Sequence, residues 1–146
     1  MRVSEVMNSD VYVARPDHSV EDAARAMLAI DIGILPVEED DRLIGMISDR
    51  DIAVRAVAEG KDGRTPISDV MTRDVKYCFE DEDVALVERN MGEQQVRRLP
   101  VLSRDKRLVG ILSLADLARR DQSVDDALRQ ITRPGGAHTQ GASQSA

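Results

Sequence analysis

Two stretches of this 146-residue chain place polar side chains at spacings with chemical meaning. Gly45-Met46-Ile47-Ser48-Asp49-Arg50-Asp51-Ile52 and Gly110-Ile111-Leu112-Ser113-Leu114-Ala115-Asp116-Leu117 each read as an apolar strand ending on a serine. An aspartate follows three residues later, in the first turn of a predicted helix. Ser-x-x-Asp is first of all a capping box, in which the serine oxygen accepts from a free backbone N–H and the acid reaches back. Ser19…Asp22 and Ser123…Asp126 show the same spacing at other predicted helix starts, so spacing alone argues for capping. The Gly-apolar-apolar strand ahead of Ser48 and Ser113 adds a second possibility. A helix N-terminus offers unpaired N–H groups and partial positive charge to an anion. A carboxylate beside it can take two ribose hydroxyls. Phosphate near the serine and ribose on the aspartate would together form a nucleotide site.

The elements that must position these residues occur twice. Val3–Val11 matches Ile67–Val75 at an offset of 64, and the same offset pairs Asp17 with Asp81, Val20 with Val84, Met27 with Met91 and Leu35-Pro36-Val37 with Leu99-Pro100-Val101. One residue is then inserted in the turn between two strands, and the offset becomes 65 through Gly45/Gly110, Ser48/Ser113 and Asp51/Asp116. Twelve of 36 positions are identical over Val3–Glu38, and eight of 16 over Asp40–Arg55. An insertion in a loop with register kept on both sides indicates two copies of one fold.

Each copy reads as β-α-β-β-α, an α/β (α+β) unit. A leading turn precedes a β-rich stretch, Val11-Tyr12-Val13 or Val75-Lys76-Tyr77. An amphipathic helix follows, with Val20, Ala23, Ala24, Met27 and Leu28 at helical spacing, and Val84, Val87 and Met91 in the second copy. Strands are predicted at Ile34–Val37 and Leu43–Ile47, joined by the acidic turn Glu38–Asp41, and at Leu99–Leu102 and Arg107–Leu112. Second helices run over Asp49–Ala58 and Leu114–Arg120. The predicted organisation is a first repeat at 1–60, a linker at 61–66 with Gly63 and Pro66 as breakers, a second repeat at 67–122, a short helix at 123–132 (with Val124, Ala127, Leu128 and Ile131 on one face) and a disordered tail at 133–146. Two helices cannot cover both faces of a three-stranded sheet, so the copies are expected to pack sheet to sheet about a pseudo-twofold axis.

Composition excludes several functions. The chain holds 27 acidic against 20 basic side chains, net −7, and only three aromatics: Tyr12, Tyr77 and Phe79. Duplex binding needs clustered cations, and single-strand binding needs stacking platforms. No apolar run approaches the roughly 18 residues of a membrane span, and Met1–Glu5 shows no signal-peptide core. The expected location is cytoplasmic. One cysteine and two histidines, none at ligand spacing, argue against a metal site. Cys78 reads as a buried inert thiol, and His18 as a solvated loop residue. Nothing resembles a nucleophile–base pair or a glycine-rich phosphate loop, so no catalytic residue is assigned.

The ordered set Met-x-x-Asp-Val, apolar-Leu-Pro-Val and Gly-apolar-apolar-Ser-x-x-Asp, found twice between Val3 and about Arg120, resembles a tandem pair of cystathionine-β-synthase (CBS) domains, a Bateman module. The resemblance implies an intramolecular pair with inter-repeat clefts, homodimerisation, and a non-enzymatic energy-sensing role. In that role an adenosyl ligand (AMP, ADP, ATP, S-adenosylmethionine or NAD) acts as regulator rather than catalytic cofactor, and its binding signals to an unknown partner protein. It further implies that Asp51 and Asp116 hold ribose hydroxyls and that Ser48 and Ser113 face phosphate. Met46 and Ile111 would line a base pocket with Ile34, Leu35, Pro36, Leu99 and Pro100. The basic position before Leu-Pro, which often meets phosphate in related modules, is Arg98 here and Ile34 in the first copy. Arg50 is the first copy's nearest basic candidate. Residues 1–64 carry eight basic and fourteen acidic side chains, net −6, whereas 65–146 carry twelve and thirteen, net −1. An anionic ligand should therefore meet less repulsion at the second copy, near Arg97, Arg98, Arg119 and Arg120. A ligand-free dimeric scaffold, in which the Ser-x-x-Asp pairs only cap helices, is the alternative.

Overall fold

The computed structural model describes residues 1–118, which form a mixed α/β protein. In chain order the elements are helix α1 (Val20–Ile30), strands β1 (Ile34–Glu39) and β2 (Arg42–Ser48), helix α2 (Asp49–Asp51), strand β3 (Cys78–Phe79), helix α3 (Val84–Gln94), strands β4 (Arg98–Leu102) and β5 (Leu108–Ser113), and helix α4 (Leu114–Ala118). Single 3₁₀ turns, Val3–Glu5 and Ile67–Asp69, open the two repeats. The helix expected at 123–132 and the tail at 133–146 lie outside the described residues.

The inserted residue falls where the sequence places it, and it changes the turn. Asp40 and Asp41, at φ 55° and 64°, make a two-residue connection with both residues left-handed, the twist a tight antiparallel hairpin prefers. In the second copy Lys106 N–H donates to Ser103 O (2.8 Å) and Lys106 alone is left-handed, at φ 66°. That is a three-residue loop closed by a bulge residue.

Three expectations need correction. The β-rich stretches pair later than predicted: Ala14 makes one parallel bridge to Val37, and Cys78–Phe79, not Val75–Tyr77, pairs with β4. The buried face of α1 is Val20, Ala23, Ala26 and Met27, whereas Ala24 and Leu28 are exposed. Burial here follows one narrow stripe, which Ala26 joins and Leu28 leaves. The helix expected over Asp49–Ala58 has one α-turn and then π geometry over Ile52–Val57, with Ala58 N–H reaching Ala53 O at 2.9 Å. The wider turn spans five residues rather than four.

The compact units cut across the repeats. Among the described residues one is Tyr12–Val75; the other joins Met1–Val11 to residues 76–118. Each opening segment thus docks on the other repeat's elements, through matching backbone bonds. Ile67 N–H donates to His18 O (2.8 Å) and Ser68 N–H to Pro16 O (3.0 Å); Val3 N–H donates to Glu82 O (3.0 Å) and Ser4 N–H to Glu80 O (2.9 Å). The docked segments also satisfy helix-start donors that have no partner inside the helix. Val20 N–H donates to Thr65 O and Val84 N–H to Met1 O, both at 2.9 Å. Further along, Met46 and Thr72 exchange a backbone pair (2.9 and 2.8 Å), and Ile111 and Asn8 do the same (2.9 and 2.8 Å).

Each unit has its own core. Leu35, Val37 and Ile47 gather with Val20, Ala23, Met27, Ile67, Val70 and Met71. Leu99, Val101 and Leu112 gather with Val84, Val87, Met91, Val3 and Val6. The docked segments press on the glycines of the strand motif. A Cβ at Gly45 would lie 2.7 Å from Thr72 O and 2.9 Å from Met71 Sδ; one at Gly110 would lie 2.7 Å from Met7 Sδ and 3.0 Å from Asn8 O. Glycine is therefore needed for close approach. Gly45→Ala and Gly110→Ala should each destabilise the protein by about 1–3 kcal/mol, the usual range for overpacking. Gly45→Ala should cost more, because its Cβ would press on a backbone carbonyl at 2.7 Å, whereas at Gly110 the carbonyl lies at 3.0 Å and the closest atom belongs to a flexible thioether. Urea unfolding midpoints check the order, and equal stability of Gly45→Ala and wild type would refute the close-approach explanation.

Candidate functional site

The hairpin register sorts the candidate residues by face. Ile34 pairs with Ser48, Leu35 with Ile47 and Pro36 with Met46. In the second unit Arg98 pairs with Ser113, Leu99 with Leu112 and Pro100 with Ile111. Side chains directly across an antiparallel pair share a face, and successive ones alternate. Ile34, Pro36, Met46 and Ser48 therefore share one face of the first hairpin, with Arg98, Pro100, Ile111 and Ser113 on the matching face of the second. Leu35 and Leu99 lie on the opposite faces, within the two cores. The structure thus separates these two leucines from the other candidates.

Both serines cap the helix that follows. Ser48 Oγ accepts from Asp51 N–H (3.0 Å) and Ser48 N–H donates to Asp51 Oδ2 (3.0 Å), a complete capping box. Ser113 Oγ accepts from Asp116 N–H at 3.1 Å. The Asp51 carboxylate has further company. Thr72 Oγ1 lies 3.3 and 3.4 Å from its two oxygens, and Arg55 Nε lies 3.8 Å from Oδ1. Arg55 Nη1 in turn donates to Met71 O (3.2 Å). Neither Thr72 nor Arg55 was a candidate from sequence, because each lies outside the Gly-apolar-apolar-Ser-x-x-Asp motif. The signal that could have found Thr72 is its place beside Met71 in the repeated opening motif, which docks on the glycine strand.

The cations divide into engaged and available. Arg104 donates through Nε to both oxygens of Asp81 (3.0 Å each), stacks 4.2 Å from the Phe79 ring centroid, and holds the Asp81 carboxyl below its ordinary value. Arg25 pairs with Glu21, and Arg107 with Asp105. Among the described residues Arg50, Arg97 and Arg98 have no side-chain hydrogen bond or ion pair. Arg50 is exposed, while Arg97 and Arg98 are half-buried. Arg119 and Arg120 lie outside the described residues.

Remaining candidates for chemistry are muted. His18 is exposed. Among the described residues no group of three or more His, Cys, Asp or Glu side chains could hold a metal ion, and no helix is long and apolar enough to cross a membrane.

With this geometry in view, the comparisons with known proteins are specific. The CBS domain family model matches residues 3–57 and again 67–123, so the chain belongs to the CBS domain family and carries two copies of that domain. It is 41% identical over 135 residues to hypoxic response protein 1 of Mycobacterium tuberculosis, covering 89% of this chain and 93% of that one. A crystal structure of Hypoxic Response Protein I with two coordinated zinc ions aligns with a TM-score of 0.74 and 36% identity, over 83% of this chain and 99% of that one. CBSX2 in complex with AMP aligns with a TM-score of 0.73 and 25% identity, over 85% and 98% of the two chains. The CBS domain pair of MJ0100 in complex with 5′-methylthioadenosine and S-adenosyl-L-methionine aligns at 0.69 and 29%, over 82% and 94%.

Cys78 shows what burial does to a reactive group. Its thiol is buried, and desolvation, followed by the nearby Glu82 charge, pushes its pKa up to about 12. A thiol whose pKa is raised on folding makes the native state hold its proton harder. The associated stability is present below the unfolded thiol's pKa, 9.0, and is lost as pH rises toward about 12. Native protein at pH 8 should resist a thiol reagent that labels the urea-unfolded chain at once. Rapid native labelling without unfolding would contradict the burial.

Proposed function

We propose that this chain is a non-enzymatic regulatory module that binds an adenosyl ligand, such as AMP, ADP or ATP, and signals its occupancy to a partner protein. One observation carries the reading. In each copy the register gathers an apolar or basic residue, a proline, a second apolar residue and a serine on one hairpin face, with an aspartate in the helix turn that follows. Relatives of this fold bind AMP, or methylthioadenosine and S-adenosylmethionine, which supports an adenosine-bearing ligand. In this reading Asp51 and Asp116 take the ribose hydroxyls, Ser48 and Ser113 face the phosphates, and Ile34, Pro36, Met46, Pro100 and Ile111 meet the base. Arg98, half-buried and without a side-chain partner among the described residues, takes phosphate at the second copy. A buried guanidinium is favourable only when a counter-charge meets it. Arg50, exposed, is the weaker equivalent at the first. The second copy is therefore the tighter site.

The scaffold reading has its own support, since the Asp51 carboxylate is already engaged by Ser48, Thr72 and Arg55. Thermal unfolding with an adenosyl panel separates the two. Ligand at about 100 times its Kd adds about 2.7 kcal/mol, a rise of about 4 °C or more. Asp116→Ala should remove most of that rise and Asp51→Ala less. No shift with any adenosyl compound at millimolar concentration favours the scaffold, and loss of binding in Asp51→Ala alone reverses the order of the sites.

The working form in this reading is a homodimer. Leu28 on α1 and Val57 in the π turn are 84% and 69% exposed, and Val54 is also uncovered. Apolar side chains this open on neighbouring helical elements suit burial against a second copy. Light scattering should give twice the chain mass, and Leu28→Asp with Val57→Asp should give the single mass at unchanged helix content. A monomeric wild type at micromolar concentration overturns the dimer.

A further inference from the structure

We infer that the Thr72 hydroxyl is an internal competitor for the Asp51 carboxylate, held at the acceptor edge that a ligand's two adjacent hydroxyls would take. The inference rests on the ribose role proposed for Asp51. Thr72 Oγ1 lies nearly equidistant from Oδ1 and Oδ2, at 3.3 and 3.4 Å, so it straddles the carboxylate edge. A vicinal diol approaches a carboxylate along that same edge, donating one hydroxyl to each oxygen.

The carboxylate cannot turn away to serve both donors. Ser48 N–H holds Oδ2 at 3.0 Å from the capping side, and the Asp51 side chain is only 13% exposed. Nor can the threonine drift off. Its backbone exchanges two hydrogen bonds with Met46 (2.9 and 2.8 Å), and Arg55 ties the preceding carbonyl, Met71 O, at 3.2 Å. What a ligand can displace is the side chain alone, by rotation of Thr72 about χ1 into another staggered well. Entry therefore costs one hydrogen bond to a charged group and leaves the docked segment in place.

The device belongs to the first copy. Asn8 stands in the matching place of the second, with the same backbone pair to Ile111, but its side-chain oxygen accepts from Asp10 N–H at 3.0 Å. Two copies of one fold thus differ at this position by a hydroxyl set against an amide engaged in its own turn. A graded response follows, in which the second copy fills first and the first copy fills only at higher ligand concentration.

The test is calorimetric titration with AMP in an Asp116→Ala background, which isolates the first site. Thr72→Val should tighten AMP binding about three- to tenfold, the range of one ordinary hydrogen bond, since 3.3 and 3.4 Å are long for a hydroxyl donating to a carboxylate. Thr72→Ser, which keeps the hydroxyl, should bind like its parent. Equal or weaker binding by Thr72→Val overturns the inference, as does equal tightening by the serine and valine variants. If Asp116→Ala alone binds no measurable AMP while wild type does, Thr72→Val must restore binding in that background, and failure to do so overturns it too. Wild-type protein that binds no adenosyl ligand refutes the proposed function itself, a result distinct from these.

Discussion

Each compact unit of this protein is completed by the opening segment of the other repeat, and the rest of the fold depends on how that segment is seated. The seat is a backbone bridge, Met46 to Thr72 in one unit and Ile111 to Asn8 in the other, laid over a glycine that leaves no room for a Cβ. Backbone bonds alone would not fix the register, because a strand can slip by two residues and keep its pattern. Met71 and Met7 fix it by resting on Gly45 and Gly110. The same segments accept from the first N–H of α1 and α3, so one docking event caps a helix, extends a hairpin and contributes Ile67, Val70 and Met71, or Val3 and Val6, to a core. An isolated repeat would lose all three contributions together. The repeat is therefore the unit of sequence, and the crossed pairing is the unit of structure.

Much of this was legible in the residues, for identifiable reasons. The hairpins and the capping boxes are local, since strand alternation and Ser-x-x-Asp need only neighbours in the chain; the inserted turn residue shows in the change of repeat offset, although the acidic turn read over Glu38–Asp41 narrows to Asp40-Asp41 in the structure. The docking of the opening segments was not legible, because it pairs residues far apart in sequence. Met71 meets Gly45 and Met7 meets Gly110, and within one repeat neither partner has a visible use for the other. Short strands were misplaced for a related reason. Cys78–Phe79 and Ala14 are set by what they pair with, and the preceding Val-x-Val and Val-Lys-Tyr runs have equal β-propensity but no partner in register. Leu28 was misassigned because a helical stripe predicts burial only where another element covers it.

At the site the legible part was composition and the illegible part was face. Leu35 and Leu99 sit between proposed ligand contacts in sequence, yet strand alternation sends them into the cores while Ile34, Pro36, Arg98 and Pro100 turn the other way. The first copy's Thr72–Asp51–Arg55 ring was also hidden, since it joins the helical segment carrying Asp51 and Arg55 to the opening segment of the other repeat, which only the docked fold brings together.

The capping role of Ser48 and Asp51 does not exclude a binding role; it is what makes one precise. A carboxylate offers about four acceptor positions, and the capping bond from Ser48 N–H uses one of them while fixing the rotamer. A ligand bound as proposed would meet a pre-oriented acceptor and avoid part of the ordering cost that weakens flexible sites. The two copies share this cap but differ around it. Ile34 faces Ser48 across the first hairpin where Arg98 faces Ser113 across the second, and Thr72 stands where the second copy has Asn8. A duplicated fold in which the docking bonds are matched while the residues facing the serine and standing beside the carboxylate are not has kept its architecture and let its halves diverge in charge and in hydrogen-bonding competition. That divergence lies on the face and at the carboxylate proposed to receive a ligand, whereas the glycines, the methionines and the docking bonds that hold the fold are the same in both copies.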